Sequence, residues 1–298
     1  MKVVVLGAGG MLGHKLTLYL RREFKVITTT RGSYHEYSHL HIFNKDDHIS
    51  NFDVLNEKHL FQLLDDQMPD AIINCIGMTT RKITNDLSPM VIKINSVLPH
   101  QLESWACKNR KKVIHFSTDC VFSGQRGNYK EDDLSDVQDL YGMSKRLGEI
   151  ESRCSLTIRS SIIGQEIAHF TELISWIISQ KGQTVKGYKN AFYTGVTTNY
   201  MAYFVREFLR QRLELYGLYQ LASPKISKYD LIELVNNKLE LDIKITPDEG
   251  YKADKSLDGS RLFEAVKNVD KPDWNTMIDE LKWEHQFYTQ GNFHDFKR

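Results

Sequence analysis

A β-branched run, Lys2-Val3-Val4-Val5-Leu6, enters Gly7-Ala8-Gly9-Gly10-Met11-Leu12-Gly13 and then an apolar pattern at Leu16, Leu18, Tyr19 and Leu20. The order of strand, glycine turn and helix constrains the fold more than any other feature of the chain. Such a run belongs in a parallel strand buried on both faces. Glycines permit the tight turn and let the backbone approach an anion, which the free N–H groups and positive dipole end of the helix then hold. The spacing is GxxGxxG, not the commoner GxGxxG, so the alternative of a glycine-rich turn without a ligand stays open. The expected cofactor contacts are Gly7, Gly10, Met11, Leu12 and Gly13.

Strand and helix patterns then alternate. Residues 25–30, 70–77, 111–117 and 156–159 read as further strands, with a helix over 56–65 and a long one opening at Ser88-Pro89 that carries Asn95 and is kinked by Pro99. Residues 1–163 therefore form a doubly wound α/β domain, an NAD(P)-binding Rossmann unit with a parallel sheet. Residues 164–298 are more irregular, with helices near 171–180, 199–212, 228–239 and 274–288, N-caps at Thr198, Ser227 and Asp273, and short extended pieces at 219–222 and 243–246. They are expected to form a smaller α+β substrate lobe that closes over the first domain, with segments near 194–222 returning to it.

The acidic residue that binds the ribose of NAD is expected about 20 residues beyond the glycines, and none stands there. Arg31, ending the second strand, suits the 2′-phosphate of NADP. The reading leans to NADP and leaves NAD open. Asp53, with Val54, is expected at the adenine, with helix capping as the alternative. Cys75, Ile76 and Gly77 sit at the carboxyl end of the fourth strand, where open parallel sheets bind ligands.

A net charge of +1 over 298 residues favours neither nucleic acid nor an anionic membrane. No apolar run approaches the roughly 20 residues needed to span a bilayer, and a cytoplasmic protein is expected. Cys75, Cys107, Cys120 and Cys154 lie far apart without metal-ligand spacing and read as reduced thiols. The histidine-rich stretch 33–48 reads as a mobile loop and Glu131-Asp132-Asp133 as a solvated acidic turn. No metal site is expected, although a carboxylate cluster of that kind can take Mg2+.

Ser117-Thr118-Asp119-Cys120-Val121-Phe122 closes the fifth strand, and Tyr141-Gly142-Met143-Ser144-Lys145 follows after a polar loop. Residues four apart on a helix share a face, so the Tyr141 phenol and the Lys145 ammonium point into one cleft. A nearby cation is expected to lower the phenol's pKa, and the Thr118 hydroxyl to hold a carbonyl oxygen beside it. The bland alternative is an amphipathic pair with a solvated ammonium.

Taken with the glycine turn, these segments resemble the extended short-chain dehydrogenases/reductases over nearly the whole chain. Ser117 to Gly124, Tyr129 to Asp133 and Tyr141 to Glu149 are most similar to dTDP-4-dehydrorhamnose reductases and their relatives. The resemblance implies NAD(P)H-dependent reduction of the C4 ketone of a nucleotide-linked deoxysugar, for polysaccharide precursors. It implies Tyr141 as general acid, Lys145 as the group that holds the nicotinamide ribose, and Thr118 as the group that orients the carbonyl. Ser117 and Asn95 would also lie at the cofactor, Asn95 matching a helix asparagine that is often structural. Asp119, Cys120 and Tyr193 would meet the sugar nucleotide, with Lys186, Thr197, Thr198, Lys255 and Arg261 as further lobe candidates. Cys120 stands where the reductases usually carry Tyr, and Ile162 where they carry an aromatic, which points away from rhamnose toward another 4-keto sugar. Two alternatives remain: an epimerase or dehydratase that recycles tightly held NAD, and a non-catalytic NADP-binding subunit like the regulatory β subunit of methionine adenosyltransferase. A homodimer is possible.

Overall fold

The computed structural model describes residues 1–79 and 87–296. Its first half runs β1 (Lys2–Leu6), α1 (Met11–Leu20), β2 (Lys25–Thr29), α2 (Tyr34–Ser38), β3 (His48–Ile49), α3 (Glu57–Gln67), β4 (Ala71–Asn74), α4 (Ser88–Ile92), α5 (Leu98–Asn109), β5 (Lys112–Ser117), α6 (Leu140–Leu147) and β6 (Ser155–Arg159). The second half continues with β7 (Ile162–Ile163), α7 (Leu173–Ser179), β8 (Thr184–Tyr193), β9 (Val196–Thr197), α8 (Thr198–Arg210), β10 (Gly217–Gln220), β11 (Ile226–Ser227), α9 (Lys228–Leu239), β12 (Lys244–Asp254), α10 (Ser260–Ala265) and α11 (Trp274–Gln290).

Seven strands pair in the order β3-β2-β1-β4-β5-β6-β10, and every pair is parallel. Because side chains alternate along a strand, the valine run of β1 feeds both faces. Val3 and Val5 join the core under α1 and α8, whereas Val4 and Leu6 join the core that includes Leu60 and Leu64 of α3 and Leu102 and Trp105 of α5. The chain reverses direction of winding between β1 and β4, and at that switch point open sheets leave a crevice for ligands. β10, from the second half of the chain, is the seventh strand, and α8 packs on α1. A smaller sheet, β11-β8-β12, stands apart from the main one.

Several features differ from the sequence expectation. Residues 33–48 are not a loop: they hold α2, a 3-10 turn at Lys45–Asp47 and the start of edge strand β3. Leu40, Ile42 and Phe43 are buried there, and the His48 ring stacks on Phe43 while bonding the Thr28 and Thr30 hydroxyls. Pro99 does interrupt its helix. It has no N–H to offer the carbonyl four residues back, and the backbone widens into a π turn over Lys93–Val97 before α5 begins. Cys107, in the last turn of α5, and Cys154, just before β6, form a disulfide with Cα atoms 5.3 Å apart, so the free thiols are Cys75 and Cys120. Glu131 is buried, not solvated, and accepts from the Gln220 backbone N–H at 2.9 Å; burial raises its pKa. The cap of α8 is Thr197, whose hydroxyl accepts from the Tyr200 N–H, and not Thr198. No helix among the described residues is long and apolar enough to cross a membrane.

Candidate active site

The glycine turn is shaped by contacts that exclude side chains. Gly7 has φ +78°, a region costly for residues with a Cβ. A Cβ on Gly13 would lie 2.2 Å from the Gly7 carbonyl oxygen, so α1 can approach the turn only with glycine there. A Cβ on Gly10 would meet only that same oxygen, at 3.4 Å. The space above it belongs to a cleft of about 390 Å³ walled by Gly10, Met11 and Leu12 on one side. These are the features a pyrophosphate needs: bare backbone, unpaired N–H groups of a helix start, and room.

The opposite wall comes from β4 and β5. Cys75, Ile76 and Gly77 follow β4, and Phe116, Ser117 and Thr118 end β5. Tyr141 and Lys145 enter from α6, which Asp139 caps by accepting from the Gly142 N–H at 2.9 Å. Gly142 carries no side chain where a Cβ would lie 2.3 Å from the Cys120 carbonyl, which lets this helix seat against the strand end. Its other side is fixed by Asn95. The Asn95 amide bonds the Met78 N–H and carbonyl and the Ser144 hydroxyl, at 2.8, 2.9 and 3.0 Å. Asn95 is thus a buried strut between the loop after β4 and α6, not a wall of the cleft.

The electrostatics correct one expectation. Burial raises the Tyr141 phenol well above its ordinary value, with the Cys120 thiol adding to this and a Thr118 hydrogen bond opposing it. Lys145 does not lower it, because its ammonium is turned to the Phe116 carbonyl, 2.6 Å away, and lies 3.5 Å from His115 Nε2. Burial brings Lys145 down to about 8, although Glu149 pulls it up. Tyr141 therefore keeps its proton at neutral pH, the state a general acid needs.

Ser117 lines the cleft with its hydroxyl already engaged. Its hydroxyl donates to Glu149 at 2.6 Å, in a buried network where Arg159 binds the same carboxylate through Nε and Nη2 at 2.9 and 2.8 Å. This bidentate pair ties β6 to the segment after α6 and so braces the floor of the cleft.

Beyond Asp119, Cys120 and Ser161 the cleft meets a second chamber of about 460 Å³. Tyr193, Lys186 and Lys255 line it, together with Lys228, Trp176, Tyr188 and Tyr251, whose roles the sequence does not signal. The Tyr193 hydroxyl is buried and has no hydrogen-bond partner among the described residues, and the Lys228 ammonium lies 3.5 Å from the centre of its ring. Burial lowers Lys228 to about 8. Lys255 rises because Cys120 and Asp119 outweigh its burial, and burial with Asp119 raises the Cys120 thiol to about 11. Cations beside an aromatic wall suit a phosphorylated ligand with a planar base. At the cleft mouth, His169 and Phe170 adopt φ of 73° and 51°, consecutive strained conformations of the kind that collect at binding sites.

Other expected residues lie elsewhere. Arg31 is exposed at the end of β2, near Tyr37, whose hydroxyl lies 2.9 Å from where a Gly9 Cβ would be. Asp53 accepts from the Leu55 N–H in a turn and Val54 is buried in the core beneath α3, so neither walls the cleft. Thr198 is buried, and Arg261 pairs with Asp132 on an outer groove away from the chamber. No group of three or more His, Cys, Asp or Glu side chains able to hold a metal ion occurs among the described residues.

The sheet order, the glycine turn at its switch point and a Tyr-Lys pair on the helix after the fifth strand define a short-chain dehydrogenase/reductase of the extended type. Within that class, the chain belongs to the family described as RmlD substrate binding domain, which matches residues 1–290. A probable low-salt glycan biosynthesis reductase of Haloferax volcanii is 32% identical over 152 residues, 50% of this chain and 48% of that protein. A dTDP-4-dehydrorhamnose reductase of Aggregatibacter actinomycetemcomitans is 28% identical over 151 residues, 50% of this chain and 45% of that one. The matches thus span about half the length of each relative. A solved structure of a hypothetical dTDP-4-dehydrorhamnose reductase from Sulfolobus tokodaii superimposes with a TM-score of 0.74 at 26% identity, covering 92% of this chain and 98% of that one. One from Bacillus anthracis, in complex with NADP, shares the fold with a TM-score of 0.78 at 17% identity, covering 95% and 99%.

Proposed function

We propose that this protein reduces the C4 ketone of a nucleotide-linked deoxysugar with NADPH, as a cytoplasmic enzyme of polysaccharide precursor synthesis. The observation that carries the reading is the continuity of the site: one cleft joins the glycine turn to Thr118, Tyr141 and Lys145 and then meets the chamber holding Lys228 and Lys255. The bound nicotinamide supplies hydride. On the protein side, the N–H groups at the start of α1 hold the pyrophosphate, and Lys145 orders the neighbouring ribose hydroxyls. Thr118 orients the ketone toward Tyr141, whose proton neutralises the developing alkoxide. Lys186, Lys228 and Lys255 meet the substrate diphosphate, and the base lies among Trp176, Tyr188 and Tyr251. Arg31 supports NADP over NAD, since the β2 end offers a guanidinium and no ribose-binding carboxylate in its place. Cys120 leaves space beside the sugar that a larger side chain would fill, which favours a 4-keto sugar with a larger substituent than rhamnose.

A panel of 4-keto nucleotide sugars incubated with NADPH or NADH tests this, followed by loss of nicotinamide absorbance. At least one sugar is expected to turn over, faster with NADPH. Silence across the panel with both cofactors contradicts the reading.

The pH profile provides a second check. Lys145 loses its proton as pH rises through about 8, while Tyr141 keeps its own well above that. The protonated forms of both groups are the active ones, so kcat/KM is expected to be flat at neutral pH and to fall by about tenfold per pH unit above that value. A profile that rises through the same range would show that Lys145 is not needed as an ammonium.

A further inference from the structure

Two side chains of the cofactor helix are completely buried and polar, and the chemistry of the cleft uses neither. His14 and Lys15 are both 0% exposed, and both are met by residues of α11 one helical turn apart, Tyr288 and Glu284. Lys15 is ion-paired with Glu284, and its ammonium lies 5.2 Å from the centre of the Tyr288 ring. A buried polar cluster of this kind is costly unless every member is satisfied. His14 meets that condition. Its Nδ1 lies 2.9 Å from the Gly10 carbonyl oxygen and its Nε2 lies 2.7 Å from the Tyr288 hydroxyl.

The partners fix every proton. A carbonyl oxygen only accepts, so Nδ1 carries the hydrogen and donates to Gly10; Nε2 then holds a lone pair and accepts from the Tyr288 hydroxyl. Burial, reinforced by Lys15, holds His14 down to about 3, and burial raises Tyr288 well above its ordinary value, so both stay neutral and the relay keeps this direction.

Gly10 is the residue on which the dinucleotide turn becomes a helix. Its carbonyl accepts twice from His14, from the ring and from the backbone N–H at 3.1 Å. In a trans peptide the carbonyl and the next residue's N–H point in opposite directions. Holding the Gly10 carbonyl down along α1 therefore aims the Met11 N–H out of the helix start, the end of α1 where Gly10, Met11 and Leu12 wall the cleft.

We infer that Tyr288, acting through His14, is a positioning residue for the dinucleotide site: a helix 274 residues further along the chain sets the orientation of the peptide that meets the pyrophosphate. This rests on the reading of the cleft as a dinucleotide site. The substrate side is attached to the same helix, because α11 also packs on α9, which begins at Lys228 of the chamber, and His285 of α11 bonds Gln165 at 2.6 Å, next to the cleft residue Glu166. One element thus touches the supports of both sites.

The test is the Kd of NADPH measured directly on the full chain, by quenching of tryptophan fluorescence or by calorimetry, together with the melting temperature of each variant without cofactor. Tyr288→Phe removes one neutral hydrogen bond and is expected to raise the NADPH Kd about fivefold. His14→Leu removes both contacts and raises it by about tenfold or more. His14→Asn keeps a donor at the Nδ1 position, and an amide at that distance does reach the carbonyl four residues back in this protein, as Asn109 does to Trp105. It is therefore expected to recover the Gly10 contact but not the Tyr288 one, leaving an NADPH Kd close to that of Tyr288→Phe and below that of His14→Leu. Lower melting temperatures with NADPH Kd unchanged in Tyr288→Phe and His14→Asn would show that the relay only holds the fold together and would overturn the inference. Failure of the unsubstituted protein to bind NADPH or NADH at all would overturn the reading of the cleft itself.

Discussion

Tyr141→Phe is expected to bind NADPH with a Kd within about twofold of the unsubstituted protein and to lose turnover by about three orders of magnitude, within the range for removal of a general acid. The substitution deletes one oxygen from a ring whose position is set by its helix. α6 stays fixed through Asp139, through the Asn95 strut to Ser144, and through the Ser96 hydroxyl on the Ser144 carbonyl at 2.8 Å. None of these contacts involves the phenol hydroxyl. With that oxygen gone, the alkoxide formed on reduction has no proton donor of matching acidity and placement, since the Thr118 hydroxyl that orients the ketone is a far weaker acid than a phenol and Lys145 is turned to the Phe116 carbonyl. The interaction lost exists mainly in the transition state, so kcat and kcat/KM fall together. Turnover within tenfold of the unsubstituted protein would remove Tyr141 from the chemistry.

Gly13→Val is the second large effect. A Cβ at this position would lie 2.2 Å from the Gly7 oxygen and 2.8 Å from the Ala8 Cα, both backbone atoms that cannot rotate away. α1 must move outward, and with it the N–H groups at its start. Overpacking of this kind costs about 1–3 kcal/mol or more of stability. The pyrophosphate site is lost with the same displacement, so the NADPH Kd is expected to rise at least about a hundredfold, a change of about 2.7 kcal/mol. Calorimetric titration together with thermal unfolding checks both effects; an unchanged Kd would mean that the turn is a structural glycine loop and not the seat of a dinucleotide.

The parts of this architecture that were legible in the sequence are those set by local chemistry. The valines of β1, the glycines after it and the Tyr141–Lys145 interval each encode their own geometry, and the resulting sheet order follows from repeating that unit. The smaller sheet was hidden apart from the extended piece at 243–246, which meets the start of β12. β8 reads Thr-Val-Lys-Gly-Tyr-Lys-Asn-Ala-Phe-Tyr, and β12 contains Pro247 and Gly250, so both carry turn residues and polar side chains that suppress a strand signal. β12 pairs with β8 across a register shift between Asp248 and Lys252, and β8 takes β11 on its other edge, contacts that no local pattern records.

Long-range pairing hid the rest. Nothing near Cys107 announces Cys154, 47 residues away, until α5 and β6 are laid side by side. Glu131 reads as one of three solvated acids, yet the arrival of β10 buries it. The raised Tyr141 phenol follows from burial, whereas the spacing of Tyr141 and Lys145 carries only the proximity of a cation. Lys228 and Tyr288 look like ordinary helix residues, and each acquires its place through a neighbour far away in sequence.

The central claim is a net reduction driven by consumed cofactor. It is tested most directly by counting NADPH oxidised against sugar nucleotide converted, in one reaction with a 4-keto nucleotide sugar that turns over. One NADPH lost for each sugar reduced is the predicted result. Sugar converted with the dinucleotide left unchanged would contradict it, and would make the protein a recycler of its cofactor.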